Sequence, residues 1–288
     1  MSDSNFSTTA SAVIERWGSS LAGKTVVITG ASTGTLGGAT ATALATSNPK
    51  PGPAHLLLAL NETKQQNVRF VPISLDDFDS VRAAARIIKE TVEKVDILIN
   101  NAGVMAIPWN MNKDGIERQF AINHLGHLLC FCRLFKRLNR AEWSIFRDGK
   151  TYNPLSAYAQ SKTANILFTL ALAEQYATYE VLAFAVHPGL IPSTSLTSHF
   201  DDSLSASEMN KVSLENTGLP FAPDEPKTLE QGISTTLVAA LSPELEGYNG
   251  CYLADCQVKE VRGHARDSGL AGRLWGLSEG LVGEKFEA

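Results

Sequence analysis

Tyr158 and Lys162 stand one helical turn apart in a run that reads as helix, so both side chains share a face. An ammonium beside a phenol stabilises the phenolate and lowers a pKa that starts near about 10. A tyrosine so placed can give or take a proton near neutral pH. The same spacing also occurs on ordinary exposed helix faces, so the reading depends on what else converges there. One candidate is Asn123, in Asn123–His124–Leu125–Gly126, a polar residue inside an apolar helical run that can bond backbone or hold a water.

Three further segments carry chemistry. VVITGASTGTLGG places Gly30, Gly34 and Gly37 directly after a β-branched run and directly before a helix. Glycines there let the backbone turn sharply and approach a pyrophosphate, and the helix N-terminus adds free N–H groups and a favourable dipole. NNAGVMA (Asn100–Ala106) ends the strongest strand, where small residues let a flat ring or a ribose come close to the chain. HPGLIPSTS (His187–Ser195) follows another strand, and Pro188 and Gly189 turn it into a loop.

Strand-like and helix-like runs alternate along the chain. Lys24–Thr29, His55–Leu60, Val68–Ile73, Val95–Asn100, Val181–Val186 and Gly250–Ala254 read as strands. Leu36–Thr46, Asp77–Lys94, Lys113–Leu138, Pro154–Tyr176 and Thr228–Leu241 read as helices. Continuous apolar strands between helices predict a parallel sheet covered on both faces, a doubly wound α/β fold. Ligands in that fold sit beyond the carboxyl ends of the strands. No linker divides the chain, so we expect one Rossmann-like domain over 24–288 behind an N-terminal extension of residues 1–23.

Taken together and in this order, these motifs resemble the short-chain dehydrogenase/reductase family, in particular a group of fungal and retinol-dehydrogenase-like members, from about Lys24 to Ala254. The resemblance implies a nicotinamide dinucleotide, NADP rather than NAD. It places Gly30, Gly34, Leu36, Gly37, Asn101, Tyr158, Lys162, Ile191 and Ser193 at that cofactor, with Asp76 against the adenine. It makes Tyr158 the acid/base, Lys162 the ribose ligand and Asn123 the holder of a relay water. It implies a carbonyl or alcohol substrate on a small apolar molecule, in a secondary-metabolite pathway.

The chain departs from the family pattern in three places. Two residues, Thr35 and Leu36, separate the second and third glycines instead of one. Only Asn61–Asn67 joins two strands that should be parallel, less than the roughly 10–12 residues of a crossover helix. The usual acidic or basic selector of NAD or NADP after the second strand is also absent, with Glu62 and Lys64 the nearest candidates. Between Leu138 and Thr151 no apolar run of strand length occurs, and Ser144, 14 residues before Tyr158, is flanked by sequence unlike a serine strand. We therefore expect one central strand and one crossover helix to be missing. An active oxidoreductase, a catalytically impaired dinucleotide-binding protein and a truncated gene product all remain open at this point.

Composition narrows the partners. With 25 Lys and Arg against 30 Asp and Glu, the net charge is −5, which argues against a nucleic-acid surface. No apolar stretch is long enough for a membrane span, and the N-terminus has no apolar leader core. Cys130, Cys132, Cys251 and Cys256 form no zinc-like array and read as reduced thiols, which points to the cytoplasm. Residues 190–227 read as a substrate lid in which Phe200, Leu204, Met209, Leu214, Leu219 and Phe221 offer an apolar lining. Trp109 and Met111 are further substrate-facing candidates. Leu270, Leu274, Leu277 and Leu281 with Trp275 predict a last helix that packs on the domain or on a second subunit.

Overall fold

Strand β1 (Thr25–Thr29) is buried along its whole length because it has a parallel neighbour on each side, β2 (His55–Ala59) and β4 (Ile97–Ile99). The computed structural model describes residues 3–46, 55–59, 68–135, 138–139, 152–198, 200 and 206–286. Strand β3 (Val68–Phe70) adds to β2, giving the order β3-β2-β1-β4, all parallel. Side chains alternate between the two covered faces. Val26, Ile28 and Ile99 join one apolar cluster, whereas Val27 joins another on the opposite face.

Helices α1 (Ala10–Trp17), α2 (Leu36–Ala45) and α8 (Leu229–Leu241) supply the first face. The segment before β1 thus carries a helix, capped by Thr9, whose Val13, Ile14 and Trp17 are core residues. The other face is covered by α3 (Phe78–Thr91), a long segmented helix, α6 (Pro154–Gln175) and α9 (Ser268–Val282). The segmented helix comprises α4 (Arg118–Phe120), a π turn (Ala121–Leu125) and α5 (Gly126–Phe135). Helix α7 (Ala206–Thr217) lies in the expected lid.

A second sheet holds β6 (Ala185–His187), β7 (Tyr252–Ala254) and β8 (Gln257–Lys259), in that order. The tight turn from β7 to β8 puts Asp255 and Cys256 at positive φ, 53° and 58°, the backbone that two-residue hairpins need. Strands β5 (Leu138–Asn139) and β9 (Lys285–Phe286) form a short antiparallel pair.

The fold is the expected Rossmann-like α/β domain, with differences. Among the described residues β4 pairs only with β1, and β6 only with β7, so no strand joins the two sheets. Residues 140–151, including Ser144, lie outside the described residues, as do Asn61–Asn67 with Glu62 and Lys64, and also Leu204. Strands β2 and β3 are nonetheless parallel neighbours, with the third strand ending at Phe70 rather than Ile73. The long helix begins at Arg118 rather than Lys113, because Met111 and Glu117 bridge across a turn and the Glu117 carboxylate caps the helix. The sixth strand begins at Ala185 rather than Val181, since Asn249 takes up the Ala183 N–H and the Val181 carbonyl with its side chain. All four cysteines are free thiols. Among the described residues no helix is long and apolar enough to cross a membrane, and no cluster of metal-ligating side chains occurs.

Candidate active site

Thr29, the last residue of β1, organises the floor of the site. Its Oγ1 accepts the N–H groups of Asn101 (3.0 Å) and Ala102 (3.1 Å). Both oxygen lone pairs are then used, so the hydroxyl proton goes to its third partner, His127 Nε2 at 2.9 Å. That fixes His127 as the neutral tautomer with its proton on Nδ1, which donates to the Asn123 carbonyl at 3.2 Å. Burial pushes the His127 pKa down to about 4 and agrees with a neutral ring. Neither Thr29 nor His127 stood out in the sequence, because each reads as an ordinary member of an apolar run.

The glycines have separate duties. Gly30 adopts φ +68°, and a Cβ there would lie 2.8 Å from Ala102 Cα. A Cβ on Gly37 would overlap Asn101 Nδ2 and the Gly30 carbonyl. The Asn101 amide donates to the carbonyls of Thr29 (2.9 Å) and Gly30 (3.2 Å), which ties the end of β4 to the glycine loop. Gly34 adopts φ +78° with open space around it. The extra residue in the glycine spacing has a structural use. Thr35 caps α2, accepting the Gly38 N–H at 3.1 Å while its hydroxyl reaches the Ser32 and Gly30 carbonyls.

Asn123 lies in the π turn, a local widening common at functional sites. Its Oδ1 accepts the Val104 N–H at 2.8 Å, and its Nδ2 donates to the Val104 carbonyl (2.8 Å) and to Ser161 Oγ (3.0 Å). Ser161 in turn donates to the Tyr158 carbonyl at 2.7 Å. One buried amide therefore links the loop after β4 to the turn of α6 that carries Tyr158 and Lys162. The side chain of Asn123 is thus committed to protein, while its carbonyl oxygen accepts the His127 Nδ1 proton.

Tyr158 and Lys162 share a face of α6, as the spacing predicts. Lys162 Nζ lies 5.3 Å from the Tyr158 ring centroid, and a Cβ on Gly103 would lie 3.5 Å from Nζ and 3.2 Å from Asn123 Oδ1. The expected lowering of the tyrosine is not found. Burial raises the Tyr158 pKa to about 12, and burial also lowers that of Lys162. The ammonium sits over the ring face and not at the hydroxyl, so desolvation outweighs its attraction.

Other sequence candidates sort by position. Leu36 and Ile191 meet over Gly232 of α8, where a Cβ would lie 2.7 Å from Ile191 Cγ1 and 3.3 Å from Leu36 Cδ2. The glycine loop and the loop after β6 are thus brought together. Ser193 is exposed in that second loop. Asp76 accepts from Ser74 Oγ (2.6 Å) and Arg118 Nε (3.0 Å), at the junction of α3 and α4. Trp109 packs edge-on against Tyr152 at 5.0 Å, and Tyr152 bonds Ile107, Glu117 and Gln119. Ala106 is held at φ 51° by a 2.7 Å bond from its N–H to Gln119 Oε1. Ala106, Leu155 and Val212 form a small apolar cluster with Met105, Phe200 and Met209, one turn of α6 before Tyr158.

Residues 24–204 match the short chain dehydrogenase family. The chain belongs to that family. It is 34% identical to retinol dehydrogenase 12 of Mus musculus over 292 residues, covering 92% of this chain and 88% of the relative. It is 33% identical to retinol dehydrogenase 11 of Homo sapiens over 295 residues, covering 91% and 87%. Among solved structures it is similar to a crystal structure of a protein of uncharacterised function from Mycobacterium paratuberculosis. That likeness has a TM-score of 0.65 and 29% identity, and it covers 93% of this chain and 96% of the other. A carbonyl reductase from chicken fatty liver shares the fold at a TM-score of 0.57 and 21% identity, over 84% of this chain and 100% of its own.

Members of this family are oxidoreductases that act on small molecules with a nicotinamide dinucleotide, and the cradle fits such a group. Gly30 and Gly37 let the glycine loop close onto Ala102 and Asn101, Gly103 leaves room for the Lys162 ammonium, and the turn at Gly34 is exposed with open space around it. Among the described residues no hydrogen-bond partner meets the Lys162 ammonium or the Tyr158 hydroxyl, so both remain available to a ligand.

Proposed function

We propose that the protein interconverts an alcohol and its carbonyl on a small apolar molecule, with NADP(H) as the dinucleotide. The observation that carries this is the Asn123 clamp, which sets the Tyr158–Lys162 face of α6 against the glycine-lined loop after β4. Gly30, Gly37 and Asn101 would hold the dinucleotide, with Leu36 and Ile191 beside them. When bound, it supplies or takes the hydride.

The rest of the chemistry is the chain's own. Tyr158 keeps its proton at rest, because burial holds the phenol neutral. It gives that proton to the oxygen of a carbonyl being reduced, or takes one from an alcohol being oxidised. Lys162, whose ammonium is already partly desolvated, stabilises the phenolate formed in reduction. As the family resemblance implies, Asn123 would hold the water through which the proton is replaced, at its backbone because its side chain is taken. The apolar wall of Ala106, Leu155, Val212, Met105, Phe200 and Met209 suits a hydrocarbon substrate and excludes water. Relatives named retinol dehydrogenase support an isoprenoid-like alcohol as the substrate class. The preference for NADP and the place in secondary metabolism rest on resemblance alone.

The test is NADPH- and NADH-dependent turnover with a panel of apolar aldehydes and ketones. Tyr158→Phe should lower turnover about 10²–10⁴-fold and leave the melting temperature unchanged. Turnover that survives this change would overturn the mechanism. A second reading, a dinucleotide-binding protein of impaired activity, is favoured by the edges of β4 and β6, which no strand joins among the described residues. A melt raised by NADPH without turnover on any substrate would support it.

A further inference from the structure

Lys227 is buried, and nothing in the reaction above uses it. Its side chain is 2% exposed, yet it carries a charge that Asp255 Oδ1 meets at 2.7 Å. The aromatic face of Phe6 covers the ammonium at 4.9 Å from the ring centroid. The stem lies against Gly189, where a Cβ would come within 2.8 Å of Lys227 Cδ. Its backbone N–H donates to the Leu190 carbonyl at 2.8 Å, and Pro226 bridges Leu190 as a parallel neighbour. One residue therefore touches the N-terminal segment, the β7–β8 turn and the loop after β6.

That loop leads within two residues from Gly189 to Ile191, which packs on Gly232 and Leu36 beside the glycine loop. The charge at Lys227 also reaches the site. It acts on His187, whose pKa is lowered chiefly by burial, raised by Asp224, lowered by Lys227, raised by Asp255 and lowered by Lys162. A buried cation costs much desolvation unless it is paired and held. Here the pair is fixed at one end by a hairpin whose positive φ leaves Asp255 little freedom.

We propose that Lys227 is a positioning residue that holds the loop from Gly189 to Ile191 in its cofactor-ready form, with Asp255 as counter-ion and Phe6 as cover. The segment before α1, through Phe6, is on this view an outer support of the dinucleotide site. The proposal rests on the function proposed above for what the loop then binds.

The experiment compares Lys227→Met, Lys227→Arg and Phe6→Leu with the unmodified full chain. Amide hydrogen exchange at Leu190, Ile191 and Thr194 should quicken about tenfold in Lys227→Met and return to within about threefold in Lys227→Arg, with α6 and α8 unchanged. The dissociation constant of NADPH, followed by tryptophan fluorescence, should rise about tenfold in Lys227→Met. KM for NADPH should rise with it, while kcat at saturation moves less. If Lys227→Met fails to fold, Phe6→Leu keeps apolar bulk, removes the aromatic face, and should shift exchange the same way by a smaller factor. Unchanged exchange at Leu190–Thr194 in every folded variant would overturn the proposal. An unmodified chain that binds neither NADPH nor NADH would refute the proposed function instead, and the exchange comparison would still decide the role of Lys227.

Discussion

The two sheets hold their site loops by different means. At the end of β1 and β4, backbone and side-chain bonds interlock: Thr29 takes two N–H groups and gives its proton to His127, and Asn101 closes onto the glycine loop. At the end of β6, the loop depends on a buried lysine paired with Asp255 of the β7–β8 turn and on a few further contacts. Interlocking strands several partners at once when one member is lost. The ion pair strands one, although an unpartnered buried charge is costlier than a single unpartnered amide.

The largest effect should come from the interlocked side. Gly30→Ala meets both a left-handed backbone and the Ala102 backbone at 2.8 Å. We expect a loss of about 4 kcal/mol, read as a melt roughly 10 °C lower, with dinucleotide binding lost. If the loop can yield and the melt stays put, the contrast between the sheets fails.

Acid should come next. His127 titrates at about 4 in the folded protein and at about 6.5 unfolded, so the unfolded chain binds more protons between those values. Stability is full above pH 6.5 and falls as pH drops towards 4, by roughly 3 kcal/mol for this group. His124, lowered by burial to about 3, adds in the same direction. Melts from pH 8 to 4 check the sign, and His127→Gln should remove about one proton from the slope.

The smallest pair sharpens the comparison most. Thr29→Val leaves two N–H groups and an imidazole without their hydroxyl and should cost about 3 kcal/mol in chemical denaturation. Thr235→Val, on the side of the second sheet, frees the Cys256 N–H, bonded at 3.1 Å, and a weaker contact to the Cys256 thiol at 3.7 Å, and should cost about 1 kcal/mol. Equal losses would mean that the two loops are held alike.

Much of this was legible in the sequence because periodicity and punctuation are local. Strand β1, helix α3 with Asp77 as its cap, and α6 follow from apolar spacing. The glycine cradle follows from Gly30 and Gly37. What escaped was either long-range or masked by apolar neighbours. The Met111–Glu117 turn looked helical because its residues favour helix. Helix α1 went unread even though Thr9 and the spacing of Val13, Ile14 and Trp17 announce it. Thr29, His127, Ser161 and Lys227 declare themselves only through partners distant in sequence. The Tyr158 pKa depends on the height of an ammonium above a ring, which spacing along a helix does not give.

Helix α9 carries a consequence for how the protein is made. The aromatic cluster of Phe131, Phe168 and Tyr176 is completed by Trp275 and Phe286, and the Glu279 carboxylate binds both the Trp275 indole N–H and the Phe286 N–H. Glu284, close by, pins Arg82 and Arg133. Translation runs from the N-terminus at about 5–20 residues per second. The half built around β1, α1 and α2 waits for α8, while the surface of α5 and α6 stays open until α9, later still, leaves the ribosome. During that interval the nascent chain shows a sticky aromatic face, and chaperone demand should peak there.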